Sequence, residues 1–286
     1  LEVFACWCFI QEIILIIVIP MAGSSQRFRN AGYQVAKFQL PLHGATMFDH
    51  TISSFRAYFE TATFFFIARH AEHAEFAMDH AKHLGIKWAV SALDPNPTGL
   101  AETVFAGFTA TPQLNLNQPI LIHVVDTFRP DFRLPENYKE AGFAEFCLKS
   151  NISILDRLLG VPNEPRPGQS AAFGLGPSLA RLKGTGLYYM PNADKLMQAY
   201  QHAKAEKKKA SIASQAFQRF GMPEELVEGL SLIRQLYRAE QTIELSIVHR
   251  DEVIFCGIPS EYEALHDHWP ERGTKLAGSP SQTLHT

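Results

Sequence analysis

The segment from Ile17 to Gly44 reads IVIPMAGSSQRFRNAGYQVAKFQLPLHG. It closes a β-branched-rich apolar run, Ile13 to Ile19, that is bounded by Pro20 and has the composition of a strand buried on both faces of a parallel sheet. Small residues follow, Ala22, Gly23, Ser24 and Ser25, and behind them stand Arg27 and Lys37. In an open parallel sheet, ligands bind beyond the carboxyl ends of the strands, which is where this loop falls. Small side chains let backbone N–H groups approach a phosphate. Arg27 offers a planar fork to phosphoryl oxygens and Lys37 a compact point charge, a pair suited to a polyphosphate. The segment has neither the glycine and lysine spacing of a P-loop nor, after Gly23, the further glycines of a dinucleotide fingerprint.

Strand-like and helix-like patterns alternate outward from this segment, the signature of βαβ units. Phe48, Ile52, Phe55 and Phe59 form one helical stripe, opened by a capping box of Thr46 and Asp49. Thr63 to Ile67 reads as a second strand, its phenylalanines buried rather than a stacking platform. His70 to Leu84 reads as a surface helix, with Ala71, Ala74, Ala77, Met78, Ala81 and Leu84 on one face. Its histidines, His70, His73, His80 and His83, suit a solvated or boundary position better than a metal site. Trp88 to Ala92 is a strand, Ala101 to Phe108 a helix, and Ile120 to Val125 a strand ending at Asp126.

The second half is less regular. Gly142 to Lys149 is a candidate strand, and the stretch 160–176, dense in Pro and Gly, reads as a long loop or irregular hairpin. Leu187 to Met190 is a short strand and Ala193 to Lys204 a helix that ends in water at the basic run 207–209. Further elements are a helix over 223–237, strands at Ile243 to Val248 and Val253 to Cys256, and a helix opening at Pro259. The expected fold class is α/β, a doubly wound, mostly parallel sheet with a less regular α+β second half. Residues 1–12 read as an extension, 13–268 as one domain (13–130 and 131–268 being its halves), and 269–286 as a frayed tail.

Composition excludes several classes of function. With 286 residues and a formal net charge of -3, the chain can bury a large core and has no broad electrostatic reason to coat nucleic acid or an anionic membrane. Gln11 and Glu12 interrupt the apolar stretch from Val3 to Ile19, so a membrane span is not expected there. Cys6, Cys8, Cys147 and Cys256 are too few and scattered for a disulfide framework; they read as reduced thiols in a cytoplasm, with Cys256 in the core.

The spacing of the whole segment resembles the sugar-phosphate nucleotidyltransferases. That family begins with a strand, a loop of the type A-G-x-G-S/T-R-F, then a P-K and an L-P-x-x-G-K stretch. Here Ala22 to Phe28, Lys37 and Leu40 to Gly44 stand in that order. Thr98 to Val104 resembles the helix entry that meets the nucleobase, Val125 to Phe128 the acidic strand end that holds the metal, and Thr185 to Tyr189 the sugar-pocket strand. The stretch 251–265 resembles the closing segment of short bacterial members that serve capsule and polysaccharide biosynthesis. The resemblance implies a glycosyltransferase-A-like sheet and transfer of a nucleoside monophosphate from its triphosphate to a sugar 1-phosphate or similar small phosphate, releasing pyrophosphate. It implies that Ala22, Gly23, Ser24 and Ser25 cradle phosphates, and that Arg27 holds the departing pyrophosphate. Lys37 neutralises the α-phosphate, Thr98, Gly99, Ala101 and Glu102 meet the nucleotide, Asp126 ligates Mg²⁺, and Thr185 and Gly186 line the sugar pocket. The implied partners are a nucleoside triphosphate and a sugar phosphate, with room for a homo-oligomer.

This chain departs from the pattern at named positions. Ser25 stands for the second loop glycine, Ala36 for the proline before the lysine, and Val124 for the polar residue before the metal aspartate. The family's Glu-Lys pair would fall near Leu175 and Gly176, which cannot replace it, and the second metal carboxylate has only Asp156 and Asp194 as candidates. Two other readings stay open: a nucleotide-binding or regulatory relative without full activity, and a glycosyltransferase. The second is disfavoured because Asp126-Thr127-Phe128 lacks the second aspartate of an Asp-x-Asp motif.

Overall fold

The computed structural model describes residues 14–93, 99–136, 142–148, 182–205, 243–271 and 273. The readings placed on 1–12, 160–176, 207–209 and 223–237, on Thr98 and Asp156, and on almost all of the tail lie outside the described residues.

In chain order the first elements are β1 (Ile16–Met21), α1 (Gln26–Asn30), β2 (Pro41–Leu42), β3 (Ala45–Thr46), α2 (Met47–Ser53), β4 (Thr63–Ala68) and α3 (Ala71–Leu84). Then come β5 (Lys87–Ala92), α4 (Leu100–Ala110), β6 (Ile120–His123), β7 (Thr127–Phe128) and β8 (Gly142–Leu148). The last are β9 (Leu182–Met190), α5 (Ala193–Ala205), β10 (Ile243–Val248), β11 (Ile254–Phe255) and α6 (Pro259–Asp267). Seven strands form one sheet in the order β10-β8-β9-β6-β1-β4-β5. All neighbours in it are parallel except β9, which runs antiparallel to both β6 and β8.

Both faces of the sheet are covered, as the unbroken apolar runs of β1 and β4 require. Ile16, Val18, Phe65 and Ile67 face a cluster completed by α4 and α5, including Val104, Phe108, Leu196 and Met197. Ile17, Ile19, Phe64 and Phe66 face the opposite cluster, with Phe48 and Ile52 from α2 and Ala74, Ala77 and Ala81 from α3. Gly107 lets α4 approach β4, because a Cβ there would lie 2.5 Å from Ile67 Cδ1.

Several boundaries differ from the sequence reading. β1 continues through Pro20 to Met21, and Pro20 falls where β6 has already ended, an edge-like position that tolerates a residue without an N–H. The phenylalanine stripe is not one helix: α2 stops at Ser53 and a 3₁₀ turn, Arg56–Tyr58, follows. There the Ser54 hydroxyl donates to the His50 carbonyl and accepts the Arg129 N–H, taking over the end of the helix. β6 ends at His123 rather than at Val125, so Asp126 sits in a turn. β9 begins five residues earlier than expected, at Leu182, which carries Thr185 and Gly186 inside the sheet.

Candidate active site

The loop after β1 is shaped by Ser25, which holds a left-handed conformation (φ 55°, ψ 27°) and opens α1. A glycine would adopt this backbone freely; the serine uses its side chain instead, its Oγ accepting the Lys37 backbone N–H at 3.1 Å. Lys37 thereby starts a 3₁₀ turn pinned to the loop. Gly23, Ser24 and Arg27 are exposed, Ala22 is buried, and a Cβ on Gly23 would meet nothing within 4 Å. The loop is anchored from beneath by Phe28, Leu40, Leu42 and Met47, which pack with Phe128, Ile254, Cys256 and Tyr262.

Lys37 and Asp126, 89 residues apart, meet: the ammonium donates to Asp126 Oδ2 in a close ion pair. Their side chains are only 23% and 17% exposed. Burial pushes the Asp126 carboxyl up, but the Lys37 charge and hydrogen bond override it and hold the group below the usual carboxylate range. The turn bearing Asp126 is fixed from its far side, because its carbonyl accepts the Cys256 N–H at 2.8 Å and β7 pairs antiparallel with β11. Beneath it the His123 ring donates Nε2–H to the Thr127 carbonyl at 2.6 Å. Burial pulls the pKa of His123 down to about 4, so the ring is neutral at ordinary pH.

A second charged assembly lies deeper. Arg129 binds Glu145 through both carboxylate oxygens, at 2.7 and 2.9 Å, and reaches the Glu252 carbonyl at 2.7 Å. The fully buried Thr185 donates its hydroxyl to Glu145 Oε1 at 2.9 Å. Thr185, read from sequence as a sugar contact, thus has its side chain engaged in the core. Gly186 turns the strand at φ +77°, and a Cβ there would lie 2.2 Å from Val124 Cγ2, so glycine is required by the contact with the turn that leads to Asp126.

A third assembly was not legible beforehand. Lys183 donates to Glu261 Oε1 at 2.9 Å, while Glu261 Oε2 accepts the Gly257 N–H at 2.8 Å from the first turn of α6. A Cβ on Gly257 would lie 3.2 Å from Asp126 Oδ2 and 3.8 Å from Glu261 Oε2, so both carboxylates border the same glycine. The Lys183 ammonium also sits 3.7 Å from the centre of the Phe255 ring, with the Arg250 guanidinium 4.8 Å from the same centre.

Gly99 (φ +132°) opens α4, and Ala101 and Glu102 lie half-buried in its first turn. This helix starts after β5, at the same carboxyl edge as the loop. Asp194 does not enter the site; it begins α5, where its carboxylate accepts from Gln198. Among the described residues no group of three or more His, Cys, Asp or Glu is arranged to hold a metal ion. Two of the α3 histidines are less solvated than the sequence reading placed them: His73 is buried edge-on against Phe38, and His80 pairs with Asp49 at 2.6 Å. Cys147 and Cys256 are free and buried, and among the described residues no helix is long and apolar enough to cross a membrane.

No protein-family model and no curated relative matches the chain. Solved structures do. A nucleoside-diphosphate-sugar pyrophosphorylase from Vibrio cholerae RC9 is 27% identical, over 88% of this chain and 99% of that one, with a TM-score of 0.66. A UTP-bound UGPase from Acinetobacter baumannii is 14% identical (92% and 97% covered, TM-score 0.56). The inositol-1-phosphate CTP transferase of T. maritima is 10% identical (93% and 98% covered, TM-score 0.56). The structural neighbours are thus nucleotide-sugar pyrophosphorylases and sugar-phosphate nucleotidyltransferases, at low sequence identity, and the seven-stranded sheet with helices on both faces is their fold.

Proposed function

We propose that this chain, folded as the sugar-phosphate nucleotidyltransferases are, transfers a nucleoside monophosphate from its triphosphate to a sugar 1-phosphate or similar small phosphate and releases pyrophosphate. One observation carries the reading: a cation in the 3₁₀ turn pinned to the small-residue loop and a carboxylate 89 residues away are held together at the carboxyl edge of the sheet. An ion pair placed for stability alone needs neither the loop nor the edge.

The chemistry follows from these residues. Backbone N–H groups of Gly23 and Ser24 receive the phosphates, with Ala22 and Ser25 shaping the loop, and Arg27 holds the leaving pyrophosphate. Lys37 stabilises the charge that develops on the α-phosphate as the acceptor oxygen attacks in line. Gly99, Ala101 and Glu102, following Thr98, meet the nucleotide at the entry of α4. No covalent protein intermediate is needed. Residues 13–130 act as the nucleotide half and 131–268 as the sugar-phosphate half, where Gly186 presents its backbone and Thr185 holds the strand through Glu145.

A single acidic side chain at the turn fits Mg²⁺, because that ion takes one or two carboxylates, keeps several waters and completes its shell with substrate phosphates. When bound at Asp126 it would neutralise phosphate charge. We place the activity in the cytoplasm and in nucleotide-sugar supply for capsule or polysaccharide synthesis. Mixing each common nucleoside triphosphate with a panel of sugar 1-phosphates and Mg²⁺, and measuring released pyrophosphate, tests the proposal. Nucleotide binding without pyrophosphate from any pair would favour the regulatory relative, and no nucleotide binding would end the reading altogether.

A further inference from the structure

The register of β9 carries a consequence for the second substrate. His123, the last residue of β6, pairs with Leu187, so the part of β9 before Gly186 overhangs β6 at its carboxyl end. Lys183 lies on this overhang and pairs with Cys147 near the carboxyl end of β8. Next to β8, β10 ends at Val248, and Arg250 follows just beyond it. The carboxyl edge therefore has two cationic poles. One is Lys37 in the 3₁₀ turn pinned to the loop after β1, and the other is Lys183 with Arg250 around the Phe255 ring. Between them lie Asp126, Gly257 and Glu261.

The two poles share one construction. Lys37 rests on Asp126 and Lys183 rests on Glu261, and both carboxylates border Gly257. The Lys183 ammonium is held where it is by more than its stem: the carboxylate is itself fixed by the Gly257 N–H, and the ring carries the cation on its face. Lys183 is 40% and Glu261 26% exposed, so an incoming dianion can reach the ammonium without unfolding anything.

We propose that Lys183 is the anchor for the phosphate of the acceptor, a phosphomonoester dianion, with Arg250 beside it and Glu261 as its resting counter-ion. The inference rests on the nucleotidyltransferase reading for the acceptor's identity as a phosphate, and it supplies a cation for the half of the site in which the sequence left the Glu-Lys pair missing. A dianion displaces Glu261 from Lys183, and the carboxylate keeps its bond to Gly257.

Calorimetric titration tests this with two phosphomonoester probes, inorganic phosphate and glucose 1-phosphate. Each is added to full-length protein with Mg²⁺, both alone and with whichever nucleoside triphosphate of a panel binds. Lys183→Met keeps the stem over Phe255 and removes the charge. It is expected to weaken phosphate binding by about ten- to a hundredfold while leaving nucleotide affinity and Tm unchanged. Lys183→Arg should restore most of it, and Glu261→Gln should tighten it, since the resting competitor is gone. Equal phosphate affinity in wild type and Lys183→Met would overturn the assignment, as would the absence of phosphate binding by wild type. A Lys183→Met protein that loses nucleotide affinity and Tm along with phosphate binding would mark the pair as structural only and would equally overturn it. Failure of every nucleotide to bind would instead strike the proposed function, with phosphate binding at Lys183 still decided by the titration with Mg²⁺ alone.

Discussion

Replacing Lys37 with methionine separates two roles that the proposed function gives this ammonium, counter-ion of Asp126 and cation for the α-phosphate. The ammonium fills the position beside Asp126 that a divalent cation would take, so metal entering alone has to displace it. Both side chains are mostly shielded from water, at 23% and 17% exposure, so the pair is weakly screened. Two unit charges about 4 Å apart attract by about 4 kcal/mol at an effective dielectric near 20. Desolvation of both groups offsets part of that, and a charge-assisted hydrogen bond nets about 1.5–3 kcal/mol. At about 1.4 kcal/mol per decade, displacing Lys37 weakens metal binding by a factor of about 10 to 100. Lys37→Met is therefore expected to bind Mg²⁺ or Mn²⁺ alone about 10- to 100-fold more tightly than wild type. With nucleotide present the proposed function reverses the sign, because the α-phosphate would lose its cation, and turnover should fall by about two to three powers of ten. Calorimetry with Mg²⁺, and the spin-resonance signal of free Mn²⁺, read the first effect at about pH 8, well above the carboxylate range. A folded Lys37→Met protein that binds metal alone no more tightly than wild type would refute the reasoning.

Asp126→Asn should fold normally and lose the enhancement of nucleotide binding by Mg²⁺, since an amide is a weaker ligand for a hard dication; equal enhancement in both proteins would remove Asp126 from the metal site. Gly186→Ala should destabilise the protein by more than about 2 kcal/mol in chemical denaturation, because it meets both the left-handed backbone and Val124 at 2.2 Å, and a change under about 0.5 kcal/mol would contradict the geometry. Ser25→Ala keeps the left-handed strain and loses the bond to Lys37, so it should cost about 1 kcal/mol, whereas Ser25→Gly loses the same bond but relieves the strain and should be near neutral. His123 is held neutral, near a pKa of about 4, while the unfolded chain protonates it around 6.5, so stability is full above that value and declines as pH falls towards 4. Between pH 7 and 5 this one ring accounts for a loss of about 2 kcal/mol, and His123→Asn should flatten the slope by that amount; an unchanged slope would mean the ring is not buried neutral.

Signals carried within a few residues were legible in the sequence. Thr46 and Asp49 form the reciprocal cap that their spacing announced, with Asp49 N–H on Thr46 Oγ1 at 3.2 Å and Thr46 N–H on Asp49 Oδ2 at 2.9 Å. The runs Ile16–Met21 and Thr63–Ala68 became an interior parallel pair because β-branched and aromatic residues without polar alternation can only be buried on both sides. The early start of β9 was hidden, since Lys183-Gly184-Thr185-Gly186 has neither alternation nor β propensity and is held in the sheet by its pairing with β8. Residues gathered by register were hidden too. Lys183 and Glu261 are 78 positions apart, and nothing near either one marks it as a partner of the other. Ser25 was noted as a departure, but only the backbone angle shows why glycine would suit it and what the hydroxyl does in its place.

The attachment of the closing segment bears on when the site comes into being during synthesis. Strands β1, β4, β5 and β6 and the loop with Lys37 leave the ribosome early, and their packing depends largely on one another. The turn bearing Asp126 is held by Cys256 and β11, and the loop after β1 is braced by Tyr262, whose hydroxyl donates to the Pro41 carbonyl at 2.6 Å. Those contacts arrive only with the last-made part of the described chain. A nascent protein thus carries a folded sheet with the edge of the candidate site unfinished, and Lys37 and Asp126 gain their fixed geometry only after α6 has emerged and docked. Codon changes or pauses that delay the stretch from Val253 to Asp267 would lengthen the interval in which the nascent sheet exists without its site, at no cost to the sheet's own stability.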